Sequence, residues 1–171
     1  MSPEFSGGAE AFEREMHGRL GSFIKRAEQA LIAAKTAALG QHHLTVPQYG
    51  ALLMLAYLPE ASAAQLSRAC LVTPQTMATI VENLERNGLV TREPSAMHRR
   101  VVSVRLTGPG RSLIHAADRD ARAVEQRLAA SFAAAEADQL RKLLSRACDV
   151  LSADPLTNAE KSRHACHPHQ P

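Results

Sequence analysis

The sequence predicts a mainly α fold with one small β hairpin, and three features carry that prediction. Stretches near both ends repeat apolar residues every three or four positions; a short, well-capped helical segment follows a tight turn at Leu71-Val72; and two β-branched arms enclose a loop with adjacent arginines. The first spacing gathers apolar side chains on one stripe of a helix, whereas the arms suit a half-buried ribbon.

Taken in order, residues 1–8 are polar and Gly-rich and are expected to be a flexible N-terminus. From about Ala9 to Leu39, Phe12, Met16, Leu20, Phe23, Ile24, Ala27, Leu31 and Ala34 step by three or four, which predicts one long amphipathic helix. Gly18 and Gly21 weaken its first half by about 1 kcal/mol each relative to alanine, so packing must hold that part. So long a helix on a small chain calls for a second chain to cover it, and residues 9–44 are expected to serve dimerisation. Gly40-Gln41-His42-His43 interrupts the pattern. Thr45 and Pro47 then open a helix from Val46 to about Leu58 that is apolar nearly all round, the expected spine of the next lobe.

Pro59-Glu60-Ala61 reads as a short connection, and Ser62 as the N-cap of a helix over Ala63–Cys70 with Leu66 and Ala69 facing inward. After the turn, Thr73 can accept from a free backbone amide and Pro74 needs no donor at the first helical position. Met77, Ile80, Val81 and Leu84 then share one face, while Gln75, Thr76 and Thr79 lie on the others. Asn87-Gly88 stops this helix, because both residues tolerate positive φ. Leu89–Arg92 is the first arm, Val101–Leu106 the second, and Glu93–Arg100 a projecting loop too long for a two-residue turn. Thr107 caps a long helix through Leu113, Ala117, Ala121, Val124, Leu128 and Phe132. A last helix spans Glu136 to Leu151, with Leu140, Leu143, Leu144, Ala147, Val150 and Leu151 on its stripe. Helices from both ends, each with one apolar stripe, suggest a two-fold homodimer, with residues 108–152 completing the dimerisation region. Residues 153–171 are expected to form a disordered tail.

Two short helices around a tight turn, followed by a hairpin with arginines at its tip, are the parts with which a winged helix-turn-helix reads duplex DNA. Residues 45–107 are therefore the expected DNA-binding lobe. Thr73, Pro74, Gln75, Thr76 and Thr79 are its candidate base-reading residues, since a glutamine can bond adenine through two atoms. At the wing, His98, Arg99 and Arg100 are candidates, with Arg100 assigned to the minor groove and Arg99 to the backbone. Ser62, Gln65 and Arg68 are candidate phosphate contacts from the first helix of the motif.

Composition agrees in sign and decides little. The 171 residues carry a formal charge of +3, weak for a chain that binds polyanions by charge alone. Between Glu60 and Thr107 stand six arginines against four acids, two of them at the loop tip. Three cysteines without paired spacing indicate neither a disulfide framework nor a zinc ribbon, and no apolar run approaches the ~20 residues of a membrane span. A cytoplasmic protein without cofactor is the expectation. Gly-rich phosphate loops, nucleophile elbows and metal-protease spacings are missing from the sequence, so an enzyme is not expected.

The run TPQTMATIVENLERNGLV and the segment HRRVVSVRLTGPG resemble the multiple-antibiotic-resistance regulator (MarR) family of winged helix-turn-helix repressors. The resemblance covers roughly Phe12 to Leu151. The family wing reads Asp-x-Arg, three residues, then Val-x-Leu-Thr-x-x-Gly; Arg100, Val104, Leu106, Thr107 and Gly110 fit it, whereas His98 stands at the aspartate. That aspartate usually braces the wing arginine, so here His98 takes the place as a hydrogen-bonding brace or a phosphate contact. The resemblance implies a dimer on a pseudo-palindromic operator, commonly repressing a neighbouring gene, and release by a small aromatic or phenolic effector bound between dimer helices and DNA-binding lobes. Two alternatives stand beside it. One is a redox- or metal-responsive repressor using Cys70 or the tail residues His164, Cys166, His167 and His169; the other is a protein-interaction dimer with weak DNA binding.

Overall fold

The computed structural model describes residues 8–94 and 102–153. The chain divides into two compact units, residues 1–125 and 126–171. The first begins with α1 (Gly8–Gly18) and α2 (Leu20–Gly40), where one helix was expected. Arg19 breaks the run with extended backbone, φ −84° and ψ 129°. A Cβ at either Gly18 or Gly21 would meet no heavy atom within 4 Å, so no packed neighbour offsets the low helix propensity of the two glycines.

Three helices of this unit end in the same way. His43, Leu71 and Gly88 adopt the left-handed conformation, with φ of 53°, 53° and 67°. The amide after each reaches back five residues: Leu44 to the Leu39 carbonyl, Val72 to Ser67, and Leu89 to Leu84. These are Schellman caps, which satisfy carbonyls that a helix end leaves open. At α2 the cap also brings Leu39 and Leu44, both buried, to the same place. Of the three left-handed positions, the sequence marks Gly88 plainly.

Helix α3 (Val46–Tyr57) starts from a capping box in which Thr45 and Gln48 exchange backbone and side-chain bonds. It buries Tyr49, Ala51, Leu52 and Leu55 at the centre of the core. Strand β1 (Ala61–Ser62) precedes α4 (Ala63–Ala69), which ends one residue before the expected Cys70. The inward positions of α4 are Leu66 and Ser67, whereas Ala69, expected inside, is exposed. The stripe runs through Ala63, Leu66, Ser67 and Cys70, one helical step from Ala69. Ser67 enters the core because its hydroxyl donates to the Ala64 carbonyl at 3.0 Å.

Helix α5 (Pro74–Arg86) buries Met77, Ile80, Val81 and Leu84, the four residues its periodicity put inside. Strands β2 (Val90–Pro94) and β3 (Val102–Leu106) pair antiparallel from Val90↔Leu106 to Pro94↔Val102, and β1 pairs on the other edge of β3 through Ala61↔Val104. The sheet order is β1-β3-β2. The first arm thus runs to Pro94, two residues past the expected end at Arg92, so Glu93 and Pro94 belong to the ribbon rather than the loop. A proline is tolerated there because β2 is an edge strand.

Thr107 starts α6 (Gly108–Ala130), accepting from the Gly110 amide at 3.1 Å while its hydroxyl donates to the Gly88 carbonyl at 2.7 Å. Gly110, Ile114, Ala117, Ala121 and Val124 are its buried stripe. The helix stops at Ala130, short of the expected Phe132, where the Ser131 hydroxyl donates to the Leu128 carbonyl at 2.7 Å. In the second unit α7 (Ala134–Ala153) follows, opened by the Glu136 carboxylate accepting from the Ala133 amide. None of its residues is buried. Among the described residues no helix is long and apolar enough to cross a membrane.

Candidate nucleic-acid interface

Helices α4 and α5 with the Leu71-Val72 turn form a helix-turn-helix, and β2 and β3 the arms of a wing beside it. Thr73 caps α5 as expected, its Oγ1 accepting from the Thr76 amide at 3.1 Å. Thr73, Pro74, Gln75, Thr76 and Thr79 are all exposed at the N-terminal end of the helix. The three threonine hydroxyls are partly occupied, Thr73 with Thr76 at 2.8 Å and Thr79 donating to the Gln75 carbonyl at 3.4 Å. The Gln75 carboxamide bonds to no protein group among the described residues, so both its donor and its acceptor are open to a ligand.

Ser62 and Gln65 form a second capping box at the start of α4: Gln65 Oε1 accepts from the Ser62 amide at 2.8 Å and the Ser62 hydroxyl at 3.0 Å. Their first role is to stop the helix end from fraying, which leaves the Gln65 amide nitrogen as the donor for an outside acceptor. Arg68 is exposed in the last turn of α4. His98, Arg99 and Arg100 lie outside the described residues.

Ion pairing sorts the charges of this lobe. Arg86 pairs with Glu82 at 3.4 Å, Arg92 with Glu85 at 2.9 Å, and Arg105 with Glu60 at 2.6 Å and Glu93 at 3.9 Å. All four acids between Glu60 and Thr107 are thereby engaged by arginines, and Glu82 and Glu85 in particular hold cations of their own lobe. Arg68 has no carboxylate partner among the described residues. Among the described arginines of this lobe, Arg68 is thus the one without an acid partner.

A further cluster has no counterpart in any sequence motif. The Tyr49 hydroxyl donates to Asp118 Oδ1 at 2.8 Å, and Arg122 reaches Asp118 Oδ2 at 2.6 Å and the Tyr57 hydroxyl at 3.2 Å. Gln41 and His42 converge on Asp120 Oδ2 at 2.9 and 2.6 Å, and Lys35 meets Glu125 at 2.5 Å. Acids of α6 thus tie it to α2, to α3 and to the turn between them. Alongside, Ile32, Thr36 and Gly40 of α2, His43 to Thr45 of the turn, and Val46 and Pro47 of α3 line a mostly apolar cleft of about 350 Å³. No sequence motif marks it: its walls are the last turns of α2 and the turn that follows, and the left-handed backbone at His43 gives them their shape.

Cys70 is half-buried, and desolvation pushes its thiol above the usual range, which disfavours the thiolate a sensor needs. Cys148 on α7 is exposed. The tail residues His164, Cys166, His167 and His169 lie outside the described residues.

The first unit is a winged helix-turn-helix with a capped, polar-faced second helix. The family model of the MarR family matches residues 42–101. A curated relative, the HTH-type transcriptional repressor Rv2887 of Mycobacterium tuberculosis, is 34% identical over 127 residues, 74% of this chain and 91% of the relative. The crystal structure of M. tuberculosis MarR family protein Rv2887 in complex with p-aminosalicylic acid superposes with a TM-score of 0.60 at 33% identity, covering 75% of this chain and 97% of that one. The same protein in complex with DNA superposes with a TM-score of 0.58 at 32% identity, covering 75% and 96%. The chain belongs to the MarR family of winged helix-turn-helix regulators.

Proposed function

We propose that the chain works as a homodimer that occupies an inverted-repeat operator in duplex DNA, represses transcription by blocking a promoter, and leaves when a small aromatic ligand binds. The observation that carries this reading is the exposed, capped start of α5, with Gln75 open to a base edge, in a chain 34% identical to a named repressor whose structure with DNA shares the fold. Residues 45–107 act as the reading lobe, with Thr73, Pro74, Gln75, Thr76 and Thr79 toward bases, His98, Arg99 and Arg100 at the wing, and Ser62, Gln65 and Arg68 toward phosphates. Residues 9–44 and 108–152 serve dimerisation.

Exposed apolar side chains support the dimer. Phe23 is 56% exposed on α2 and Val150 66% on α7, surfaces that a second copy would remove from water. The cleft beside His43 and Pro47 is the effector site we favour, on its apolar lining and on the aromatic acid bound by the relative. Release follows from linkage: a ligand that binds better when the two reading helices are wrongly spaced lowers operator affinity by the same factor.

Selection of binding sites from a random duplex library, repeated across salt concentrations, tests the reading. Enrichment of an inverted repeat with half-sites about one helical turn apart is expected. Salt-labile binding without enrichment would overturn it.

A further inference from the structure

The antiparallel register sets Glu60, the residue before β1, directly across from Arg105 on β3, because Ala61 stands opposite Val104. Arg105 Nη2 donates to Glu60 Oε2 at 2.6 Å, and the same oxygen accepts from the buried Ser103 hydroxyl at 3.2 Å. Ser103 is bifurcated toward the Glu93 carbonyl of β2 at 3.3 Å, and Arg105 Nε lies 3.9 Å from the Glu93 carboxylate. One face of the sheet therefore carries a polar cross-tie through all three strands, half-buried at its Glu60 end and exposed at its Glu93 end. Arg105 Nε is buried without a hydrogen-bond partner, so charge rather than full hydrogen bonding holds this guanidinium.

We infer that Glu60 is a positioning residue for DNA binding: its pair with Arg105 fixes the direction in which the β2–β3 ribbon leaves the helix-turn-helix and so aims the arginines between the arms. The inference rests on the DNA-binding reading above. Its physical basis is leverage. Val90 and Val104 anchor the base of the ribbon in the core, but on the β1 edge it is held by only two residue pairs, where the Glu60–Arg105 pair adds a charged tie. From Arg105 to Val102, the end of β3, is a span of about 10 Å at ~3.3 Å per residue. A pivot of roughly 10° at the base would move that end by about 2 Å, more than half a hydrogen-bond length.

The sign of one substitution separates this role from plain electrostatics. Glu60→Gln removes a negative charge from a lobe that faces a polyanion, and charge alone would then strengthen binding. Loss of wing aim predicts the opposite. Affinity of the full chain for its selected operator is measured by fluorescence anisotropy across salt for wild type, Glu60→Gln, Arg100→Ala, the double variant, and the reversed pair Glu60→Arg with Arg105→Glu, each with a thermal melt. We expect Glu60→Gln to bind about tenfold more weakly with a salt slope lower by about one, to add nothing to Arg100→Ala, and to be rescued in part by the reversed pair. Unchanged or tighter binding by Glu60→Gln, or losses that simply add with Arg100→Ala, would overturn the inference while leaving the DNA-binding reading intact. Failure of the wild type to select an operator would instead overturn both.

Discussion

Gly110 of α6 sits so close to Leu89 that a Cβ at position 110 would stand 2.0 Å from the Leu89 carbonyl oxygen and 2.9 Å from its carbon. This contact docks α6 onto the loop between α5 and the wing, where the Thr107 amide also donates to Leu89 at 3.1 Å. The family wing pattern ends in Thr-x-x-Gly, and here each of those two residues has a physical reason to be what it is. The threonine caps the helix, and the glycine lets two backbones touch.

Gly110→Ala is therefore expected to be severely destabilising. The obstacle is backbone on both sides, so relief requires shifting a helix or the loop, at a cost of roughly 3 kcal/mol or more. Urea unfolding should show a much lower midpoint, or the variant should fail to accumulate in soluble form. A midpoint within about 1 kcal/mol of wild type would mean that α6 docks less tightly than described.

Leu71 makes the opposite case. It is 92% exposed, so its side chain contributes almost no burial, yet its backbone takes the left-handed conformation that disfavours a branched residue. Glycine there removes about 1 kcal/mol of strain, and a more flexible unfolded chain returns part of it. We expect Leu71→Gly to melt at or a few degrees above wild type and Leu71→Val to melt below it. The reverse order in calorimetry would show that the exposed leucine holds the turn by some other means.

High pH should weaken the first unit. The Tyr49 phenol is pushed above its ordinary value near 10, first by burial and then by its bond to Asp118. A group raised in this way stabilises the fold fully below its unfolded pKa and ceases to do so as pH rises beyond it, so stability should fall from about pH 10 upward. Cys70, raised by burial from 9.0, adds a loss of the same sign that begins lower. Tyr49→Phe is expected to cost about 1 kcal/mol at neutral pH and to flatten the decline above pH 10. An unchanged slope between pH 9 and 11 in that variant would remove Tyr49 from the account.

Much of the fold was legible because periodicity and capping act locally. Met77, Ile80, Val81 and Leu84 had to share a face, and Thr73-Pro74 and Ser62 had to start helices, whatever else the chain did. The misses fall where tertiary context decides. Strand β1 is two residues with no pattern of its own, existing because β3 offers an edge. Ser67 lies inside and Ala69 outside because one hydroxyl finds the Ala64 carbonyl. The helix break at Arg19 follows from glycines whose weakness was visible but whose lack of packed neighbours was not. Of the candidate site, the residues on α5 were readable as an exposed polar face; the Glu60–Arg105 tie joins residues 45 positions apart, and the cleft beside His43, though lined by residues 32–47 alone, takes shape only through the left-handed turn at His43.

The reading helix and the wing should fail in different ways when altered. Gln75 has an uncommitted carboxamide on an exposed face, and a two-atom bond to a base discriminates by about 1–3 kcal/mol without involving phosphate. Gln75→Ala is thus expected to weaken the selected operator roughly 10- to 100-fold, relax preference at one base pair of each half-site, and leave the salt slope unchanged. Arg100→Ala removes a cation instead; it should weaken specific and non-specific duplexes together and lower the salt slope by about one per bound arginine. Anisotropy titrations of both variants against the selected operator and a scrambled duplex, at several salt concentrations, compare the two signatures directly. Loss of salt slope in Gln75→Ala, or an intact slope in Arg100→Ala, would reassign which part of the lobe reads bases and which part holds the backbone.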